Sequence, residues 1–190
     1  MSEQKTTDDF VGQVLLAMPA MSDPRFERSV IYVCAHNEDG AMGIVINKTL
    51  DSIDFRELLS HMDIPTGENA DDVAVHFGGP VENQRGFVVH SEDYRHAETL
   101  VVDKGIGLTA TVDILRDLAS GTGPQDAILA LGYAGWGPGQ LESEFQENAW
   151  LLVPANRELL FDIANDDKWE HAFNSIGVDL SVLSGTAGRA

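Results

Sequence analysis

The chain has 190 residues, 43% of them apolar, enough to build a substantial core in one large domain. Twelve Lys and Arg stand against 31 Asp and Glu, a formal charge of −19 with a pI near 4.4. No basic cluster is present to meet a phosphate backbone or an anionic membrane, so direct nucleic-acid binding and membrane association are both disfavoured.

Residues 1–10 are polar and acidic and read as a disordered tail, without the basic and apolar regions of a secretion signal. A single domain is expected over 11–190. The first apolar run, 14–18, stops at Pro19, and a turn-rich connector with Asp23-Pro24 follows. Residues 29–35 and 42–47 are rich in β-branched side chains and read as strands. Asp39-Gly40 between them is a hairpin signal, because glycine accepts positive φ.

A helix is expected over 52–62, where Phe55, Leu58, Leu59 and Met62 repeat at helical spacing behind a capping box of Asp54 and Glu57. Residues 73–77 and 86–90 are strand-like, with Gly78-Gly79-Pro80 between them, and 100–103 is a further short strand. Leu108, Val112, Leu115 and Ala119 mark a helix ending near Gly121. Residues 125–131 and 150–153 read as strands. A last helix carries Trp169, Phe173 and Ile176 on one face, with Gly177 just past its end.

Between the strand at 125–131 and the helix from Leu141, residues 132–140 hold four glycines, Pro138, Tyr133 and Trp136. This segment reads as a loop that either turns a tight corner or forms a pocket. In the second reading Pro138 is the first helical residue and free N–H groups of that turn face an anion or carbonyl. It carries no phosphate-loop lysine and no dinucleotide fingerprint.

The ligand-binding candidates are Gly78, Gly79, Tyr133, Gly135, Trp136, Gly137, Gly139 and Gln140. His90, Arg28 and Ser29 are the catalytic candidates, Arg28 because cations are scarce here and its guanidinium suits an anion. The alternative is that Ser29 only begins a strand and Arg28 pairs with a carboxylate. A Ser29–His36 pair is excluded by reach, since seven extended residues span more than ~20 Å at ~3.3 Å each. Cys34, the lone cysteine, permits no intrachain disulfide and fits a reducing cytoplasm. On the buried face of its strand it is inert; on the exposed face it is a redox candidate. The six histidines form no metal-ligand set, so neither a metal nor a cofactor is expected. The acidic runs at 71–72, 142–147 and 166–167 read as solvated faces.

Three blocks of sequence resemble the YqgE/AlgH family of bacterial proteins. They are Asp23 to Val30 continuing through His36 to Asn47; Phe77 to Val81 with His90; and Gly132 to Glu142 with Trp150 and Pro154. The resemblance runs from about residue 11 to the C-terminal tail. It implies an α+β fold whose bent, mixed, largely antiparallel sheet curls into a pseudo-barrel flanked by about four helices. It supplies no reaction; the family's best-known name attaches to a proposed regulator of alginate synthesis. The leading expectation is therefore a cytoplasmic, monomeric protein that binds a small molecule or acts in regulation. The alternatives are an enzyme with Arg28 orienting an anion and His90 as acid/base, and a module whose acidic face meets a basic protein partner.

Overall fold

The computed structural model describes residues 10–185, so residues 1–9 of the expected tail lie outside the described residues. Phe10 is already packed: its ring stands 4.8 Å from His36 and 5.2 Å from Phe145.

The apolar runs become nine strands in one sheet: β1 (Gln13–Ala17), β2 (Val30–Asn37), β3 (Gly40–Val45), β4 (Val75–Phe77), β5 (Val81–Ser91), β6 (Leu100–Asp103), β7 (Ile106–Thr109), β8 (Ala127–Trp136) and β9 (Trp150–Pro154). Their order is β6-β7-β5-β8-β3-β2-β1-β9, with β4 alone running parallel, beside β8. The sheet is mixed and largely antiparallel, curls into a half-barrel, and gives the α+β class expected. Five α-helices accompany it among the described residues: α1 (Phe55–His61), α2 (Val112–Ser120), α3 (Gln140–Gln146), α4 (Asn165–Ser175) and α5 (Leu180–Gly185). A 3-10 turn (Glu68–Asp72) and a π turn (Glu158–Asp162) complete the described elements.

Local signals worked where they were local. Helix α1 starts on the reciprocal Asp54–Glu57 capping box, and α2 ends at Gly121 with φ 78°. Gly177, just past α4, has φ 75°. Ile176, expected on the buried face of α4, is instead its exposed cap. The helix expected from Leu108 starts only at Val112. Gly105 turns the chain at φ 87°, and Leu108 lies in β7 opposite Leu100 and Val89.

Strand alternation builds the core. Val14, Leu16, Tyr32, Cys34, Ile44, Val89, Ile128 and Ala130 face the concave side, where α4 adds Trp169 and Phe173. On the convex side, Val88, Leu129 and Leu131 pack under α1 and α2, while Leu15, Ile31, Val33 and Val45 pack with Leu141 of α3.

Strand β8 shows why one sheet can serve both halves. Before Gly132 its even residues face inward; after it the odd residue Tyr133 does, and Ala134 and Trp136 face outward. Gly132 has φ 76°, and a Cβ there would meet the Gly79 carbonyl oxygen at 2.2 Å. It lies at a bulge of the β5–β8 ladder and flips the alternation along β8, which pairs with Gly86–His90 of β5 before it and with β3 beyond it, where Val81 of β5 also meets Tyr133.

Candidate functional site

The expected loop over 132–140 is mostly strand. β8 runs on to Trp136, and the true turn is Gly137-Pro138-Gly139. Pro138 is not the first helical residue; Gly139, at φ 70°, is the N-cap of α3. The turn meets its own donors, with Gly137 N donating to Gln140 Oε1 (2.9 Å) and Gln140 N to Gly137 O (3.1 Å).

The structure sorts the candidate glycines by what surrounds them. Gly78 and Gly79 press against Gly132 and Tyr133: added Cβ atoms would lie 2.2 Å from Gly132 O and 2.0 Å from the Tyr133 carbonyl carbon. The two glycine segments are thus adjacent, and backbone crossing accounts for both. Gly135 and Gly137 differ. No backbone atom stands where their Cβ would go, and neither has positive φ.

Gly135, Tyr133 and Trp136 line an open bowl of about 390 Å³ with Ala35, Gly40 and Met42. Met42 pairs with Ala35 on one side and Gly135 on the other, so the bowl is the end of the concave face where large side chains run out. The Trp136 indole lies beneath it, 7% exposed. Its Nε1 donates to Glu144 (2.6 Å), which also accepts from Trp150 Nε1 (3.1 Å). Glu142 takes His36 Nε2 at 2.5 Å. Two carboxylates of the run at 142–147 are therefore tied to the fold while remaining partly exposed; the sequence hides this because their partners lie on separate strands.

The remaining candidates do not come together. Arg28 lies over the Trp169 ring at 4.7 Å and pairs with Glu170 at 3.1 Å, the carboxylate partner foreseen as the alternative. Ser29 is buried at the start of β2, and its Oγ has no hydrogen-bond partner among the described residues. Cys34 is 2% exposed on the concave face, and burial pushes its thiol up to about 12. His90 is fully buried. Its Nδ1 donates to Ser91 O (2.8 Å) and its Nε2 accepts from Thr109 Oγ1 (2.7 Å), which leaves no ring nitrogen for substrate.

His76 is held likewise, donating from Nδ1 to Leu129 O (3.1 Å) and accepting the Asn165 amide on Nε2 (3.0 Å). Burial lowers the pKa of both histidines below the ordinary 6.5. The folded state thus refuses a proton that the unfolded chain accepts, so their contribution is whole above pH 6.5 and is lost as pH falls below it. Urea denaturation at pH 7.5, 6.5 and 5.5 should show stability falling over the last step. The fall should shrink in a variant carrying His76→Gln and His90→Gln.

Sequence reasoning missed a second concave region, a cavity of about 430 Å³ between the β6–β7 hairpin and the π turn. Its polar residues, Tyr32, Asp103, Asp126 and Arg157 among them, are scattered over five segments and carry no common motif.

Comparison with known proteins follows the fold. The AlgH-like family description matches residues 14–181. A UPF0301 protein of Afipia carboxidovorans is 54% identical over 187 residues, covering 94% of this chain and 89% of the relative. One from Rhodospirillum rubrum is 52% identical over 187 residues, covering 98% and 97%. The solution structure of the AlgH protein from Pseudomonas aeruginosa superposes with a TM-score of 0.79 at 37% identity, over 100% of this chain and 99% of that one. A Corynebacterium diphtheriae protein shares the fold at 21% identity, with a TM-score of 0.71 over 92% and 91%.

Proposed function

The chain belongs to the AlgH-like family, and from that footing we propose that it is a small-molecule-binding protein with a regulatory rather than catalytic role. The ligand site is the bowl formed by Tyr133, Gly135 and Trp136. One observation carries the reading: Gly135, required neither by φ nor by a close backbone, leaves the sheet without a side chain beside the Tyr133 ring, whose Cε2 would stand 3.3 Å from an added Cβ. A flat molecule can lie on such a floor, with Asn37 and Asp39 as polar groups at its rim. Binding is favoured over catalysis because the buried His90 has both nitrogens engaged and Arg28 is committed to α4. The charge of −19 likewise speaks against a conventional DNA-binding regulator.

The test is a thermal-shift screen of metabolites and nucleotides on the native chain and on Gly135→Leu, whose side chain would fill the bowl. A ligand at a hundred times its Kd adds about 2.7 kcal/mol. At this size that is roughly 5–10 °C. A shift in the native protein that is absent from a folded Gly135→Leu protein is expected. A panel without shifts, or shifts that survive the substitution, would overturn the site.

A further inference from the structure

The cavity between the β6–β7 hairpin and the π turn is separate from the bowl and shares no lining residue with it. Tyr32 is part of its wall. That residue is fully buried on the concave face, and its hydroxyl has no hydrogen-bond partner among the described residues. A buried hydroxyl left unmated costs stability, so the fold retains here a polar group that it does not itself use. Burial above all, with Cys34 and Asp103 adding to it, pushes the phenol above its ordinary pKa. It therefore stays neutral and can both donate and accept.

The charges around Tyr32 select the sign of what it would meet. The lining holds four carboxylates, Glu92, Asp93, Asp103 and Asp126, against two cations, Lys104 and Arg157. Arg157 already spends its Nε on Asp126 (2.7 Å). Asp93 accepts from the backbone N–H of Gln125 (2.9 Å), whereas Asp103 reaches the cavity from the hairpin, its Oδ1 accepting the backbone N–H of Lys104 (2.7 Å). Two carboxylate positions from separate segments thus share one cavity, and Ile106, Leu160 and Phe161 supply apolar wall. The wall is held from behind by the buried Lys168, whose Nζ donates to Leu160 O (2.9 Å) and Ile46 O (3.0 Å).

We propose that this cavity is a binding site for a short linear diamine. One ammonium meets Asp103 and the Tyr32 hydroxyl, the methylene stem lies along Leu160 and Phe161, and the second ammonium meets the Asp93–Asp126 side. A dication matches the net lining charge of two negative, and a strongly acidic protein concentrates cations around it. A dicarboxylate of the same length matches neither.

Calorimetric titration of the full chain with 1,4-diaminobutane and with glutarate tests this. Saturable diamine binding that weakens with added salt is expected, with no heat from glutarate. Asp103→Asn should weaken the diamine at least tenfold. Tyr32→Phe gives a second readout that a purely structural tyrosine would not: the free protein should melt ~2–4 °C higher, having lost an unmated hydroxyl, while its diamine affinity falls. Absence of diamine binding at millimolar concentration, glutarate binding as well as the diamine, or undiminished affinity in a folded Asp103→Asn protein would each overturn the proposal. None of these outcomes bears on the bowl, because Gly135→Leu should leave diamine binding unchanged; loss of diamine binding in a folded Gly135→Leu protein would overturn its assignment to this cavity.

Discussion

Replacing Gly79 by alanine should be the most damaging single-methyl change in the molecule. At φ 153° the added Cβ would fall 2.0 Å from the Tyr133 carbonyl carbon and 2.2 Å from Ala134 N. These are backbone atoms in the strand that joins the two halves of the sheet, so no side chain can swing aside. The alternatives are to part β8 from the crossing segment or to leave the fold. Mutational losses beyond about 4 kcal/mol are exceptional and arise from this kind of overpacking at a special backbone position. A loss of that size, about 4 kcal/mol or more, is expected in urea denaturation. It would consume most of the roughly 5–15 kcal/mol that a native domain possesses. Gly139→Ala is the matched control. Its φ is 70° but nothing stands within 4 Å of the added Cβ, so only the left-handed backbone cost of ~1–2 kcal/mol remains. Equal losses at the two positions would show that φ alone, and not the crossing, dictates glycine at 79.

The second large effect is expected at Glu144. One of its carboxylate oxygens accepts both indole N–H groups, from Trp136 at 2.6 Å and Trp150 at 3.1 Å. The two rings pack edge to face, 6.0 Å apart, beneath the end of β8. Glu144→Ala removes the shared acceptor while leaving the two donors in a mostly apolar layer. Each unmated donor costs about 1–3 kcal/mol, so a loss of about 2–4 kcal/mol is expected, lowering Tm by roughly 5–15 °C. Glu144→Gln keeps an acceptor oxygen and should cost less than half as much. Thermal melts followed by circular dichroism measure this. If alanine and glutamine cost the same, the carboxylate's charge matters and its acceptor geometry does not.

What could be read from the sequence depended on how far apart the interacting residues lie. The Asp39-Gly40 hairpin, the Asp54–Glu57 box and the Gly121 stop each depend on residues within a few positions of one another, and each is present. β7 is masked in the sequence because Leu108 stands four residues before Val112 and so extends the helical spacing of α2 backwards into the strand. The strand character of 132–136 was hidden for a different reason. Four glycines in ten residues signal a loop, whereas here Gly132 serves a bulge whose closest neighbour, Gly79, is far away in the chain. Tyr133, Gly135 and Trp136 were legible as an unusual group, and they do line one bowl. The Tyr32 cavity was not, since nothing in the pattern of a buried strand distinguishes a tyrosine whose hydroxyl is mated from one whose hydroxyl is not.

The bent strand β8 also sets an order of events during synthesis. Ahead of Ala127 the described chain holds two sheet fragments, β1-β2-β3 and β5-β7-β6, and no strand ladder joins them. Among the nine strands β4 pairs only with β8, although an antiparallel bridge of His76 to Thr49 ties it to the segment after β3. A nascent chain stalled before this strand therefore exposes the β3 edge over Ala41–Gly43, the edge of β5 and the apolar faces behind both. About two thirds of the polypeptide must wait, open to wrong pairing and to chaperones, for one ten-residue segment to close the sheet from both sides at once.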